Sequence, residues 1–168
     1  IFNRSHYEDV LAVRVLKLYE NFKLPARCLE GDFIQKRMNQ IGAFEEYLYD
    51  NGIRMLKVFL NVSKKEQKKR FLERLDKPSK NWKFEAGDLK SRALWDDYQK
   101  AYEDAINRTA TKHCPWYVLP ADDKWFTRYL VSEALVDVFD KIDPKYPELT
   151  AEQLAAFPGY KKALESES

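Results

Sequence analysis

Apolar positions recur along this chain in two periods, and the turn residues between them divide it into strands and helices. It opens on apolar Ile1-Phe2, passes through polar Asn3-Arg4-Ser5-His6 and continues with Val10, Val13, Leu16 and Leu18 apolar. Ser5 with Glu8 three residues on reads as a capping box, so a strand end is expected to run directly into a helix that fades near Asn21, before Pro25. Residues 32–51 carry Phe33, Ile41, Phe44 and Leu48 at helical spacing and stop at Asn51-Gly52. Within 53–62, Met55-Leu56 and Val58-Phe59-Leu60 form a short apolar run, the pattern of a buried strand in a parallel sheet.

The second half repeats this alternation. Ser63 with Glu66 predicts another capping box and a helix to Leu75 or Asp76, ended by Pro78. Residues 76–87 read as a loop with Trp82 as its hydrophobic anchor. Residues 88–111 read as one long helix, its core stripe Leu94, Tyr98, Ala101 and Ala105, widened by Trp95, Tyr102 and Ile106. The acids Asp96, Asp97, Glu103 and Asp104 fall mostly on other faces, and Asp96 or Asp97 is a candidate to orient an arginine. Trp116 to Leu119 is a second short strand, and Asp122 or Asp123 caps a helix from near Lys124. Trp125, Tyr129, Leu130, Ala134, Leu135, Val138 and Phe139 would give that helix its buried face. After Asp143-Pro144 comes a tail, with a short helix opened by Thr150 and Gln153 and followed by Pro158-Gly159.

Helices packed between such strands make βαβ units, and in open α/β sheets ligands bind where strands end and helices begin. Charge sharpens that expectation. Residues 64–83 hold nine basic side chains (Lys64, Lys65, Lys68, Lys69, Arg70, Arg74, Lys77, Lys80 and Lys83) against three acids (Glu66, Glu73 and Asp76), in a chain whose net charge is only +2. So concentrated a positive segment would attract a polyanion. The plain alternative is a solvated helix face, but Arg70 and Arg74, one turn apart, could grip neighbouring phosphates. Lys124 and Arg128 at the later helix start are either further anion contacts or surface structure.

Composition bounds the rest. At 168 residues, 45% hydrophobic and 14% aromatic, the chain can build one packed domain. It has no apolar run long enough for a membrane span and no leader pattern, so a cytoplasmic protein without a membrane partner is expected. Cys28 and Cys114 lie far apart without zinc-ligand spacing, and His113, just before Cys114-Pro115, is poorly placed as a general base.

The words of the opening stretch, F-N-R-S-H-Y-E-D-V-L, closely resemble the Walker B region of the polyphosphate kinase 2 family, in the variants with N-R-S-H-Y-E. Lys57 to Arg74 (K-V-F-L-N-V-S-K-K-E-Q-K-K-R-F-L-E-R), Lys80 to Lys83 (K-N-W-K), Trp95 to Tyr98 (W-D-D-Y) and Pro120 to Arg128 (P-A-D-D-K-W-F-T-R) are similar to that family's later segments, in its order. One departure stands out. Such kinases carry a Gly-rich Walker A loop upstream, and here the five glycines are isolated, so the chain resembles the second half of such a kinase.

The resemblance implies an α/β fold: a P-loop kinase-like three-layer sandwich with a parallel sheet and a helical lid, incomplete at its N-terminus. Residues 1–143 would form the C-terminal part of that domain, with the lid at about 64–87, and residues 144–168 a C-terminal extension. The implied reaction moves a phosphoryl group between inorganic polyphosphate and AMP, ADP or another nucleotide, with Mg2+. Arg4 would contact phosphate. Asn3, where relatives carry the Walker B Asp, and Glu8 would organise or bind the magnesium, a pairing that resembles the subgroup able to phosphorylate both AMP and ADP. Arg70, Arg74 and Lys83, with Lys69 and Lys80, would be the lid's contribution to polyphosphate binding and transition-state charge. A homo-oligomer is expected, and the chain by itself is expected to be inactive without the phosphate loop. Two other readings stay open: an ATP-dependent nucleotide kinase of the P-loop class, or a non-catalytic polyanion-binding fragment. Nucleic acid ranks low as a partner, since few aromatics interleave the basic segment.

Overall fold

A computed structural model of the chain describes residues 1–2 and 4–167. Its two strands, β1 (Lys57–Asn61) and β2 (Trp116–Pro120), pair in parallel from Lys57↔Trp116 to Asn61↔Pro120. Parallel neighbours need a crossover. Here it consists of α4 (Lys64–Asp76), a 3-10 helix (Pro78–Lys83), α5 (Ala86–Ala93) and α6 (Trp95–Thr109). Ahead of β1 lie a 3-10 helix (His6–Val10), α1 (Ala12–Val15), a second 3-10 helix (Leu18–Asn21), α2 (Ala26–Leu29) and α3 (Phe33–Asp50); α7 (Lys124–Ile142) and α8 (Ala151–Glu165) follow β2. The chain falls into two compact units, residues 1–135 and 136–168.

The first unit holds a core of Tyr7, Val10, Met38, Ile41 and Ala105, with Leu11, Ile34 and Trp116 packed against it. The expected single opening helix is broken into three short pieces. Leu11 (φ −110°, ψ −91°) interrupts it, and Lys17 adopts a left-handed conformation (φ 52°) before the second 3-10 turn. Tertiary demand explains the first break: Tyr7 and Val10 are both buried, and a tighter turn aims both inward, overriding intrinsic propensity.

Long helix 88–111 is likewise two helices. Leu94 (φ −91°, ψ 22°) separates α5 from α6, and α5 opens on a reciprocal capping box of Glu85 and Asp88 that lies outside the usual Ser/Thr rule. Within α3, Phe44 is 47% exposed while Glu45 is 2% exposed, reversing the expected burial of that turn. β1 is only partly covered: Lys57 at its start is buried, whereas Leu60 is exposed. Along α7, Leu130, Val131, Ala134 and Val138 are half-buried, but Trp125, Tyr129, Leu135 and Phe139 are exposed rather than packed inside. In the second unit α8 opens on the expected Thr150–Gln153 box and continues through Pro158 to Glu165, longer than the proline suggested.

Candidate functional site

The carboxyl ends of β1 and β2 lie side by side and each feeds a helix. Ala121 N–H donates to Asn61 O at 3.1 Å, continuing the pairing one step past the sheet. Asp122 and Asp123 then divide the work. The Asp123 carboxylate accepts from the N–H groups of Trp125 (2.8 Å) and Phe126 (3.1 Å) and so caps α7. The Asp122 carboxylate instead crosses to α4 and accepts from Ser63 N–H at 2.7 Å, which holds its carboxyl below the usual range. Arg70 closes the same junction, donating to Ala121 O (2.9 Å), Asp122 O (3.0 Å) and Glu66 (2.9 Å). Two helix starts are thus fixed next to each other, with backbone N–H groups and the positive dipole ends facing the strand ends.

Neither predicted capping box at Ser5 or Ser63 closes. Ser63 Oγ accepts from Glu66 N–H at 3.0 Å, and Ser5 Oγ accepts from Tyr7 N–H at 3.3 Å. The glutamates turn to arginines instead: Glu66 to Arg70, and Glu8 to Arg4 at 3.3 Å. Arg4 is exposed and Glu8 borders solvent, so the pair is open to a ligand. Asn3, the other residue expected to organise a metal, lies outside the described residues.

The basic segment 64–87 folds as one piece. Arg74 donates to Asp88 (3.3 Å) and to Lys83 O (3.2 Å) and lies over the Phe71 ring. Asp88, rather than Asp96 or Asp97, is the acid that meets Arg74. Asn81 Nδ2 donates to Arg74 O and Leu75 O. Glu73 accepts from Lys77 (2.6 Å) and Lys80 (2.7 Å), and these two bonds pull its carboxyl down to about 2. Trp82 does not anchor this segment. It is 78% exposed with Lys83 above its ring, and Phe84 against Phe71 makes the packing contact. Lys69 Nζ stands 3.7 Å from Glu66. Lys124 and Arg128 stand exposed along the first turns of α7.

Sequence reasoning missed one charged cluster. Lys57 Nζ, on a side chain 4% exposed, donates to Glu45 Oε2 (2.6 Å), Thr109 O (2.9 Å) and the Tyr7 hydroxyl (3.1 Å), and that hydroxyl donates to Glu45 Oε1 (2.7 Å). Two signals were present: Lys57 opens an apolar run, and Glu45 falls four residues after Ile41 on the core-facing stripe.

Among the described residues no group of three or more His, Cys, Asp or Glu side chains could by itself hold a metal ion. Magnesium needs no such cage, since one or two carboxylates plus substrate phosphates and water complete its shell, and the half-exposed Glu8 carboxylate suits that mode.

A parallel sheet whose strands feed adjacent helix starts, one of them opening a basic helical segment, makes this an α/β protein, and its likeness to polyphosphate kinase 2 structures gives it the P-loop kinase-like architecture. The chain belongs to the polyphosphate kinase 2 family, whose model matches residues 1–147. It is 49% identical over 148 residues to the AMP/ADP-polyphosphate phosphotransferase of Meiothermus ruber, with 88% of this chain and 52% of the relative covered. It is 44% identical to the ADP-polyphosphate phosphotransferase of Rhodopseudomonas palustris, covering 89% of this chain and 53% of that one. The crystal structure of polyphosphate kinase 2 from Arthrobacter aurescens superposes with a TM-score of 0.78 at 40% identity, covering 99% of this chain and 53% of that chain. The chain therefore spans about half the length of these relatives. No helix among the described residues is long and apolar enough to cross a membrane.

Proposed function

We propose that the protein transfers a phosphoryl group between inorganic polyphosphate and AMP or ADP. The observation that carries this reading is the junction of the α4 and α7 starts at the carboxyl ends of β1 and β2, with the basic α4 leaving from it; similar proteins named as AMP/ADP- and ADP-polyphosphate phosphotransferases support it. Phosphoryl transfer asks for in-line positioning and positive charge on the transferring group rather than covalent chemistry from the protein.

Arg4 contacts a phosphate of the nucleotide or of the chain end. Glu8 and Asn3 would hold magnesium, which would supply neutralisation of phosphate charge. Residues 64–87 act as a lid within a kinase domain reaching to residue 143, and residues 144–168 are an extension. Arg74, held by two long bonds of 3.2 and 3.3 Å, exchanges them for the stronger charge-assisted bonds of a phosphate. Lys69, Lys80 and Lys83 add charge along the polyphosphate, and Lys124 and Arg128 border the same crevice more weakly. Arg70, three of whose five N–H donors are engaged, holds the junction and presents its remaining donors and positive charge to the chain. Closure of the lid excludes water and so limits hydrolysis. We place this activity in the cytoplasm and in a homo-oligomer.

The test is a donor swap. The intact protein is incubated with magnesium, AMP or ADP, and either polyphosphate or ATP, and nucleotides are resolved by chromatography. Product with polyphosphate as sole donor is expected. Product with ATP alone would replace this reading with an ATP-dependent nucleotide kinase, and steeply salt-dependent polyphosphate binding without product would leave a polyanion-binding module.

A further inference from the structure

The Lys57 cluster is buried away from the junction just described, and nothing in the proposed transfer uses it. All three ammonium protons are spent, on Glu45, Thr109 O and Tyr7, so Lys57 has no donor left for a substrate. Both Glu45 oxygens are likewise occupied, by Lys57 and by the Tyr7 hydroxyl. Around it, Trp116 Nε1 donates to Thr109 Oγ1 (2.9 Å), Thr109 Oγ1 donates to Ala105 O (2.6 Å), and the Tyr7 and Trp116 rings meet edge to face at 4.8 Å. The first 3-10 helix, α3, β1, α6 and β2 therefore converge on one ammonium group. Stability alone is a weak reason for this arrangement, because well-packed apolar side chains often replace a buried ion pair at no cost.

What the cluster fixes is the direction of Tyr7. Residues 6–10 form a 3-10 helix, closed at its start by Glu8 N–H donating to Ser5 O at 3.0 Å. With three residues per turn, successive side chains point about 120° apart. Holding the Tyr7 hydroxyl inward by two bonds therefore sets the direction of Glu8, the carboxylate that Arg4 meets at 3.3 Å. A bare 3-10 turn of this length has too few internal bonds to hold that direction itself.

We infer that Lys57 and Glu45 are positioning residues for the reaction: through the Tyr7 hydroxyl they hold the Arg4–Glu8 pair in its working orientation. This rests on the assignment of Arg4 and Glu8 to the phosphate and magnesium site. Tyr7→Phe tests it in the intact protein, since it keeps the ring, its contact with Trp116 and the Lys57–Glu45 pair, and removes only the two bonds. Two readouts are taken: hydrogen exchange of residues 4–10, which needs no activity, and kcat against KM for polyphosphate. Faster exchange confined to that segment is expected, with kcat reduced roughly 10-fold or more and KM changed less than about 2-fold. Wild-type exchange and wild-type kcat in a folded Tyr7→Phe protein would overturn the inference. Should Tyr7→Phe fold poorly, Lys57→Met/Glu45→Met, which removes both charges at similar volume, decides in its place: a folded double variant with wild-type kcat overturns the inference, and one with reduced kcat and faster exchange of residues 4–10 supports it. Glu8→Ala is measured alongside. If it keeps full activity, the site assignment fails by itself and the catalytic half of the inference with it, while the exchange of residues 4–10 still reports whether the cluster orders that segment.

Discussion

The chain carries two dense sets of ion pairs that behave as opposites. Around Lys57 the charges are buried, every donor and acceptor is matched, and the partners come from residues far apart in sequence. Across residues 64–88 the charges are largely exposed, the partners are close in sequence, and several bonds are long, as at Arg74. Exposed pairs of the second kind are worth little in stability and are screened by salt. A buried pair resists exchange, because losing one partner strands a charge in the interior. Under the proposed transfer the difference suits two tasks: the first set would hold a geometry, and the second would keep positive charge ready to be handed to a polyanion.

The largest effect comes from breaking the buried set on one side only. Lys57→Met leaves the Glu45 carboxylate uncompensated and should cost about 3–5 kcal/mol, read by chemical denaturation, whereas Lys57→Met/Glu45→Met should recover most of that loss. An additive double variant would mean that the two charges do not depend on each other. In the exposed set the order of effects reverses. Arg74→Ala should lower kcat/KM for polyphosphate about 100-fold while the midpoint of unfolding barely moves, because the lost contacts are surface ones. A large stability loss with unchanged turnover would remove Arg74 from the site and make it a lid strut.

Smaller effects sharpen the contrast. Glu85→Ala opens the capping box of α5 and should cost about 1 kcal/mol, checked by thermal unfolding. Glu73→Gln removes the negative charge that Lys77 and Lys80 share and should produce the slightest destabilisation, with a definite pH signature. A carboxyl held below its ordinary value stabilises the fold above that value and loses the effect as pH falls. The difference between wild type and Glu73→Gln should therefore be full at neutral pH and shrink between about 4.5 and about 2. A difference independent of pH would show that packing, not charge, is what the substitution changes.

Much of the fold was legible because its signals are local. The two strands, the helix that Ser63 begins and the Thr150 box all follow from apolar runs and hydroxyl caps within a few residues. The breaks at Leu11 and Leu94 were not, since neither carries a glycine or proline and both arise from what the flanking turns must bury. Glu45 was invisible for a related reason: a glutamate on an apolar stripe reads as noise until Lys57, twelve residues later, is seen beside it. In the candidate site, spacing brought out Arg70 and Arg74 but not their present partners, because the Ala121 and Asp122 carbonyls and Asp88 reach them only through the tertiary fold. Trp82 shows the converse error, an aromatic in a loop assigned to packing that instead stands in solvent.

Phosphorus NMR of the intact protein with magnesium, polyphosphate and AMP separates transfer to a nucleotide from release to water in one tube. Internal-phosphate signal of the polyphosphate should be lost in step with the appearance of the β-phosphate of ADP, while the chain-end signal holds and little free orthophosphate appears. Orthophosphate accumulating while AMP stays unchanged would contradict that transfer.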